Sequence, residues 1–204
     1  MKLTWLGHAC FALEEDGYRI VTDPFTGVPG LPDTHTWANA VYCSHGHHDH
    51  HYLEGVTIRT GGKNPFSVEE IASCHDEKGG ALRGENTIRC FEAGGIRIVH
   101  LGDLGHFLTQ EQAAPLYGCD VLLIPVGGTY TIDGEQAAQV SAQLSPRIAV
   151  PMHYRGEHFG FADISTAEPF LEAMRGWTVE RLKTDTMEIP SGVEKKIILL
   201  ESGQ

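Results

Sequence analysis

Residues 43–51 read CSHGHHDHH, so five histidines and one aspartate fall within nine positions. The apolar stretch ANAVYCS, residues 38–44, predicts a strand that leads directly into them, and Gly46 permits a tight turn where that strand ends. Zinc binds imidazole nitrogens and carboxylate oxygens at about 2.0 to 2.2 Å, so several ligands must converge from a short, sharply bent backbone. The segment therefore predicts a strand whose end folds around a metal ion.

One subset of these residues has the spacing H-x-H-x-D-H, namely His45, His47, Asp49 and His50. Residues two apart on an extended chain project to the same side, so we expect His45 and His47 to share one ion. Asp49 and His50 lie just beyond the bend, and we expect them to face a second ion beside the first.

A histidine-rich surface tract that binds metal weakly, or not at all, is the alternative interpretation of this segment. Such tracts seldom follow an apolar strand, and further ligand types occur along the chain, so we favour the metal site. His48 and His51 fall outside the spacing, and we expect them to be spacers or to support the ligands.

The chain has 204 residues, of which 41% are hydrophobic, and this is enough to bury one sizeable core. We expect a single domain over residues 1–204. Fifteen basic and twenty-seven acidic side chains give a formal net charge of −12, which disfavours nucleic acid as a partner.

The five cysteines are odd in number and contain no C-x-x-C pair, so they indicate neither a disulfide framework nor a zinc finger. They fit a reducing compartment. The N-terminal residues show strand-like alternation and no long apolar run, so we expect no signal peptide. No stretch of the sequence approaches the ~20 apolar residues of a membrane span. We therefore expect a cytoplasmic protein without a membrane partner.

The pattern of apolar residues changes along the chain. The first half is rich in strands, with a hairpin predicted at Asp16-Gly17, because both residues tolerate the positive φ of a tight turn. The second half alternates apolar strands, at 120–128 and 147–153, with helical stretches. Helices are predicted at 109–118, 133–144 and 164–176, the second with Asp133 as its N-cap. This order predicts two sheets packed face to face with helices outside.

Three later segments supply further ligand types, each after an apolar strand. SCHDEKGG contains His75, HLGDLGH contains Asp103, and VPMHYRG contains His153. Gly102 allows the backbone at Asp103 to approach a crowded site closely. Together with H-x-H-x-D-H, this order resembles the metallo-β-lactamase superfamily over most of the chain. GHAC, TDPF, IPVGGTYTID and PMHY are also similar to a branch of small metal-dependent hydrolases that includes ascorbate-6-phosphate lactonase.

The resemblance implies an α/β fold, the αββα four-layer sandwich, in which two mixed β-sheets pack face to face with helices outside. It also implies two divalent metal ions, with zinc expected and manganese or iron as alternatives. Asp49 and Asp103 are the residues that we expect to act in catalysis. The implied ligands are His45, His47 and His75 for one ion and Asp49, His50 and His153 for the other, with Asp103 bridging both.

Four further residues are candidates for contact with a substrate: His8, His106, Tyr130 and Arg155. His8 and His106 stand beside glycines at strand ends, and their sequence context leaves open whether they line the site or lie on the surface. Tyr130 and Arg155 are candidates for binding a developing oxyanion or an anionic substrate group, although an exposed loop arginine is the alternative for Arg155.

Four other residues have ligand chemistry but are expected to lie outside the metal site. His100 alternates with apolar residues of a strand, so we expect it to be a hydrogen-bonded core histidine or a residue that supports the ligands. His35 and His158 are predicted to be loop residues. Cys43 is predicted to be a small buried thiol.

Two divalent ions held about 3.5 to 4 Å apart share a hydroxide at neutral pH and polarise the oxygen under attack. The site therefore predicts hydrolysis of a small, anionic ester, lactone or phosphate-bearing metabolite. A phosphodiesterase or nuclease-type hydrolase is the second interpretation. A mononuclear iron dioxygenase of the same fold also stays open, whereas the complete ligand set argues against a non-catalytic metal-binding protein. The expected partner is a small-molecule substrate, and the sequence leaves self-association open.

Only 24 residues separate His50 from His75, and they contain no convincing helical pattern. Most members of the superfamily that the chain resembles have a helix and strands in this segment. We therefore expect a shortened rim that leaves the metal site more open on this side.

Overall fold

Two β-sheets form the framework of the protein, which a computed structural model describes for residues 1–189, 192 and 195–201. The strands are β1 (Lys2–Gly7), β2 (Cys10–Glu15), β3 (Tyr18–Thr22), β4 (Thr36–Ala38), β5 (Ala40–Tyr42), β6 (Val56–Ile58), β7 (Ser67–Cys74), β8 (Glu85–Ala93), β9 (Ile96–His100), β10 (Val121–Pro125), β11 (Ile148–Met152), β12 (Thr178–Leu182), β13 (Thr186–Glu188) and β14 (Lys196–Leu200). The α-helices are α1 (Gln110–Ala113), α2 (Gly134–Leu144) and α3 (Glu168–Ala173), and 3-10 helices cover Leu53–Gly55 and Ala114–Leu116. Within the described part of the chain, no helix combines the length and apolarity needed to cross a membrane.

Both large sheets contain parallel and antiparallel pairs. The first sheet has the order β13-β1-β2-β3-β5, in which only the β3–β5 pair is parallel among the described strands. The second has the order β12-β14-β11-β10-β9-β8-β7, parallel from β12 to β9 and antiparallel beyond. Strands β4 and β6 form a separate parallel pair. The expectation of two mixed sheets is confirmed.

Two of the hairpins in the sheets are made by pairs of residues with positive φ. Asp16 and Gly17, with φ of 49° and 75°, join β2 to β3 in the predicted hairpin. Gly94 and Gly95, with φ of 57° and 76°, join β8 to β9 in the same way. Two consecutive residues with positive φ form a turn whose twist matches that of the flanking strands, so each turn sets the register of its pair.

The main core lies between the two sheets. Along β2, Phe11 and Leu13 belong to this core, whereas Cys10 and Ala12 point to the opposite face and join a smaller apolar cluster. This alternation follows from the two-residue period of a strand. Every residue of β10 and β11 is buried, as expected for parallel strands that are covered on both faces. All five cysteines lie within the described residues and are free thiols.

The two outer faces of the sandwich are covered differently. Helices α2 and α3 pack against each other, and α2 packs against β10 of the second sheet. On the first sheet, the outer cluster includes Ala38 of β4 and Val56 of β6, together with Phe25 and Val28 of the loop after β3. The short segment between His50 and His75 thus contributes a 3-10 helix and part of a small sheet to this layer.

The predicted helices differ in how closely the structure follows them. Helix α2 begins after Asp133 as expected, and Asp133 and Gln136 form a reciprocal capping box. The helix predicted at 109–118 is the short α1 followed by a 3-10 turn, because Pro115 has no backbone N–H for a longer helix. The helix predicted at 164–176 is confined to Glu168–Ala173.

The strand predicted at 38–44 is interrupted at Asn39. The Asn39 side chain accepts a hydrogen bond from the Arg19 backbone N–H at 2.8 Å, and the Asn39 N–H donates to the Arg19 carbonyl at 2.7 Å. These bonds divide the segment into β4 and β5, which belong to different sheets.

Replacing Asp133 with alanine tests the contribution of the α2 cap. Asp133 Oδ1 accepts from the Gln136 N–H at 2.8 Å, so we expect Asp133→Ala to lower the free energy of unfolding by about 1 kcal/mol. Urea denaturation followed by circular dichroism measures the change. Asp133→Ser keeps a capping oxygen and should retain most of the stability. Equal losses in both variants would contradict a capping role.

Candidate metal centre

The predicted ligands follow strand ends at one edge of the sandwich. His45, His47, Asp49 and His50 follow β5, His75 directly follows β7, Asp103 follows β9, and His153 directly follows β11. His8 after β1 and Asp23 after β3 reach the same region. His8, Asp23 and His153 have positive φ, of 51°, 42° and 52°, which is uncommon for residues other than glycine. The backbone turns sharply at these strand ends and brings the side chains together.

The ligand atoms form two groups, and a third group of His45, His50 and Asp103 overlaps both. In the first, the atoms of His45, His47 and His75 lie within 4.8 Å of one another. In the second, the same holds for His8, Asp49, His50 and His153. The first group matches the set predicted for one ion. The second contains the three residues predicted for the other ion and adds His8.

Asp103 lies between the two groups. Its Oδ2 atom is 3.1 Å from Nε2 of His75, 3.1 Å from Nε2 of His153 and 3.3 Å from Nε2 of His50. The carboxylate therefore contacts histidines of both groups. This is the position that a bridging ligand requires.

Several polar atoms of this cluster are buried without a hydrogen-bond partner among the described residues. They are both ring nitrogens of His8, Nε2 of His45 and His50, Oδ1 of Asp103 and Nδ1 of His153. Buried polar groups in folded proteins are almost always paired, so a convergent set of unpaired nitrogens and oxygens requires an explanation. The donor set of imidazoles and carboxylates fits divalent zinc or a similar first-row metal.

Asp23 orients two of the candidate ligands. Its Oδ2 atom lies 3.0 Å from Nδ1 of His50 and accepts from the Ser44 hydroxyl at 2.7 Å. The Ser44 oxygen lies 2.9 Å from Nδ1 of His45. Because the hydroxyl proton is directed to Asp23, the serine oxygen accepts from His45. Both imidazoles thus carry a proton on Nδ1, so Nε2 is the ring nitrogen that faces the metal position.

His75 is oriented by backbone groups. Its Nδ1 atom donates to the Tyr130 carbonyl at 2.9 Å, so Nε2 again faces the cluster. A Cβ atom at Gly105 would lie 2.4 Å from the carbonyl carbon of His75, and one at Gly102 would lie 2.3 Å from Oδ1 of Asn86. That asparagine oxygen accepts from the Asp103 N–H at 2.9 Å. The expected close approach of the backbone at Gly102 is confirmed.

Burial and neighbouring charges determine which groups of the cluster are charged. Burial, followed by the charge of His50, lowers the pKa of His45 to about 3, and burial with His153 does the same for His8. Both rings are therefore neutral at pH 7, as metal ligands must be. Burial alone would raise the pKa of Asp103, but His153 and His50 outweigh it and hold the pKa well below its usual range.

His50 behaves differently because it lies between two carboxylates. Burial alone would lower its pKa, but Asp103 and Asp23 outweigh this effect and raise the pKa well above the usual value. Burial would likewise raise the pKa of Asp23, yet the hydrogen bond and charge of His50 lower it to about 2. A proton and a metal cation compete for the Nε2 lone pair of His50, so metal binding at this position releases a proton.

A cavity of about 370 Å³ opens above the cluster. Metal-site residues that line it include His47, Asp49 and Asp103, and Tyr130 and Phe161 form part of its wall. Tyr130 is therefore in the region expected for substrate contact. Its hydroxyl donates to Asp163, so that proton is already engaged.

The other three residues predicted to contact substrate occupy different positions. His8 is 1% exposed and lies behind Asp49, with its Nε2 atom 3.5 Å from Asp49 Oδ2. His106 is occupied by backbone: its Nε2 accepts from the Cys74 N–H at 3.1 Å and its Nδ1 donates to the Phe107 carbonyl at 2.8 Å. Arg155 lines a different cavity and donates to the Ile164 carbonyl at 2.8 Å.

The remaining histidines largely follow their sequence context. His100 is buried, and its ring nitrogens are bonded to the Ala9 carbonyl and the Gly102 N–H, as expected for a core histidine. His35 and His158 are exposed. His48 is also exposed, and it lines the cavity above the candidate ligands.

Two residues that contribute to this region were missed by the sequence analysis. Asp23 belongs to TDPF, a motif noted only for its similarity to related hydrolases, and its position at the end of β3 was the available signal. Arg83 lines the cavity from the loop after β7, and no spacing rule connects it to the ligands.

Removing the Asp23 carboxylate tests its orienting role. We expect Asp23→Ala to weaken metal binding by about 10- to 100-fold, because His50 and Ser44 lose their shared acceptor. Asp23→Asn retains the shape without the charge and should fall between Asp23→Ala and wild type. Competition with a chromophoric chelator measures the zinc dissociation constant.

Asp33→Ala is the matched control for Asp23, because Asp33 is in the same loop and accepts from the Gly27 N–H at 2.9 Å without contacting the cluster. Its zinc affinity should equal that of the wild type. If Asp33→Ala and Asp23→Ala lose the same affinity, the effect comes from the loop and not from ligand orientation.

Comparisons with known proteins agree with this site. A beta-lactamase superfamily domain model matches residues 2–153. A UPF0173 metal-dependent hydrolase of Carboxydothermus hydrogenoformans is 31% identical over 196 residues, covering 76% of this chain and 84% of the relative. A crystal structure from Thermotoga maritima, assigned to the Zn-dependent hydrolases of the metallo-β-lactamase superfamily, is 34% identical with a TM-score of 0.75 and covers 98% of both chains.

A more distant structure shares the fold. Igni18, a metallo hydrolase of Ignicoccus hospitalis, has a TM-score of 0.67 at 22% identity, covering 100% of this chain and 96% of that one. With the domain model matching more than half of the residues, the sequence resemblance and the metallo-β-lactamase fold with its two mixed sheets are confirmed. The chain belongs to the β-lactamase superfamily and is a metal-dependent hydrolase of the metallo-β-lactamase fold.

Proposed function

We propose that residues 1–204 act as one hydrolase domain that uses two divalent metal ions, with zinc as the expected metal. Its substrate would be a small anionic ester, lactone or phosphate-bearing metabolite. The observation that carries the proposal is the convergence of unpaired buried nitrogens and oxygens on two groups of ligands joined by Asp103. Manganese and iron suit the same imidazole and carboxylate ligands, so the metal must be identified by measurement.

The residues of each group have separate tasks. His45, His47 and His75 would hold one ion, and Asp49, His50 and His153 would hold the other, with Asp103 between them. When bound, such a pair of ions lowers the pKa of a water molecule and polarises the bond to be hydrolysed. The Asp103 carboxylate would offset part of the positive charge of the two metal ions.

Asp49 is the carboxylate best placed to orient the attacking water. It lines the cavity, and its side chain is 15% exposed, so it can contact a molecule bound there. Burial would raise its pKa, but the neighbouring His8 and His50 outweigh this and lower the pKa below its usual value. The carboxylate is therefore ionised at neutral pH and able to accept a hydrogen bond from water. We propose His8, 3.5 Å away, as the residue that positions Asp49.

Two groups of ligands favour a dinuclear hydrolase over the mononuclear iron dioxygenase. A mononuclear site needs only one group of three ligands. If a single ion occupied the group of His45, His47 and His75, then His8, His50 and His153 would stay buried with unpaired ring nitrogens. A phosphodiesterase uses the same ligands and stays the second candidate for the bond that is cleaved.

Replacing ligands from different strands tests the site assignment. We expect His47→Ala and Asp103→Asn to abolish metal-dependent turnover of a substrate found by screening lactones and phosphodiesters. The fold should survive, because His47 is exposed and an asparagine side chain has nearly the shape of the Asp103 side chain that it replaces. Zinc content and thermal unfolding are measured in parallel. His158→Ala, an exposed histidine outside the cluster, should retain wild-type activity. Wild-type rates in either ligand variant would contradict the assignment.

Elemental analysis of the purified protein tests the metal. We expect two zinc ions per chain, loss of activity on treatment with a chelator, and recovery when zinc is restored. Iron in place of zinc, together with oxygen uptake during turnover, would replace hydrolysis with an oxidative reaction. A single ion per chain at full activity would contradict the dinuclear proposal.

A further inference from the structure

An arginine lines the cavity beside the candidate metal ligands. Arg83 borders the 370 Å³ cavity together with His47, Tyr130 and Phe161. Arg83 and His47 also border a second cavity of about 480 Å³ on the side of Gly46. Among the described residues that line the first cavity, Arg83 is the only lysine or arginine. A molecule bound over the metal ligands would therefore meet its guanidinium.

The loop that carries Arg83 is built around one buried carboxylate. Asp76, which is 2% exposed, accepts hydrogen bonds from four backbone N–H groups of the loop. Its Oδ1 bonds Lys78 at 2.8 Å and Gly80 at 3.1 Å, and its Oδ2 bonds Leu82 at 3.0 Å and Arg83 at 2.8 Å. The backbone of Arg83 is thereby fixed to the residue that follows His75.

A backbone hydrogen bond closes the same loop. The His75 N–H donates to the Gly84 carbonyl at 3.0 Å, so the residues on either side of the loop are bonded to each other. His75 and Arg83 therefore form one structural unit. A group held by its own packed loop has a defined direction, which is a requirement for specific recognition of a ligand.

The guanidinium keeps most of its hydrogen-bonding capacity. Arg83 Nη2 donates to the Thr129 carbonyl at 2.9 Å, and the group lies 5.8 Å from the centre of the Tyr130 ring. No carboxylate of the described residues forms an ion pair with Arg83. A guanidinium has five N–H donors arranged as a fork that matches carboxylate and phosphate oxygens. The Thr129 bond engages one donor and leaves the others available.

We propose that Arg83 binds the carboxylate or phosphate group of the substrate, while the bond to be hydrolysed lies over the metal ligands. This inference deepens the proposed function and rests on it. Tyr130 and Phe161 supply flat apolar walls for the part of the substrate between these two ends. The chain as a whole carries a net charge of −12, which repels a large polyanion more strongly than a small anion that can pair locally with Arg83.

Anion binding without turnover is the first test. Isothermal titration of the zinc-loaded protein with succinate and, separately, inorganic phosphate gives dissociation constants for wild type, Arg83→Gln and Arg83→Lys. Glutamine keeps a polar side chain but carries no charge and no donor fork, so we expect affinity for at least one anion to fall about 10- to 100-fold. The anion with the larger loss identifies the preferred group. Lysine retains the charge without the fork and should give an intermediate loss.

Lys78→Gln is the matched control, because Lys78 is an exposed cation in the same loop. Its affinity for both anions should equal that of the wild type. Equal affinities of wild type and Arg83→Gln for both anions would overturn the proposal, and so would a wild type that binds neither. An equal loss in Lys78→Gln would also overturn it, because general charge attraction would then explain the binding.

Hydrolysis of two matched esters is the second test. We expect Arg83→Gln to raise KM for 4-nitrophenyl hydrogen succinate by about 10-fold or more and to leave KM for the neutral 4-nitrophenyl butyrate unchanged. Equal changes for both esters would contradict anion recognition by Arg83. A further outcome is that the wild type hydrolyses neither ester while the Arg83→Gln variant binds the anions more weakly than the wild type does. In that case the proposed hydrolysis of such esters is contradicted, but the role of Arg83 in anion binding is supported.

Discussion

The buried carboxylate of Asp103 is the constraint on which the site depends. It is 1% exposed, and the cost of burying an ionised carboxylate amounts to several kcal/mol unless positive or hydrogen-bonding groups surround it. Its partners come from both sheets: His50 follows β5 of the first sheet, and His75 and His153 follow β7 and β11 of the second. The two sheets must therefore end their strands at the same edge. The same packing of the two sheets therefore both forms the sandwich and brings the candidate metal ligands around Asp103.

Strained backbone at three strand ends is part of this arrangement. A left-handed conformation costs a residue other than glycine roughly 1 kcal/mol or more, yet His8, Asp23 and His153 all adopt it. The His8 carbonyl accepts from the Trp5 indole at 3.0 Å and from the His153 N–H at 3.3 Å. These bonds connect two of the strained turns. The rigid strands hold the conformations in place, so the side chains need little rearrangement to bind a metal.

Much of the fold, and the candidate ligands that the structure brings together, could be predicted from the sequence, because both depend on local patterns. The hairpin at Asp16-Gly17, the N-cap Asp133 and the spacing H-x-H-x-D-H each involve residues close together in the chain. Long-range relationships were less accessible. Asp23 bonds a histidine 27 residues later, and the break at Asn39 depends on Arg19 in a different strand. Such pairings depend on sheet topology, which local periodicity does not specify.

The loop that follows His75 connects a candidate metal ligand with the arginine proposed to bind the substrate. With only a 3-10 helix and a short strand between β5 and β7, the wall of the cavity near His47 is formed in part by the loop of residues 76–84. Asp76 holds this loop through four backbone N–H groups, and His75 precedes it directly. A change in the length of the loop would move His75 and Arg83 together. Such a change in the loop would therefore be expected to alter the affinity for the metal and the proposed preference for a substrate group together.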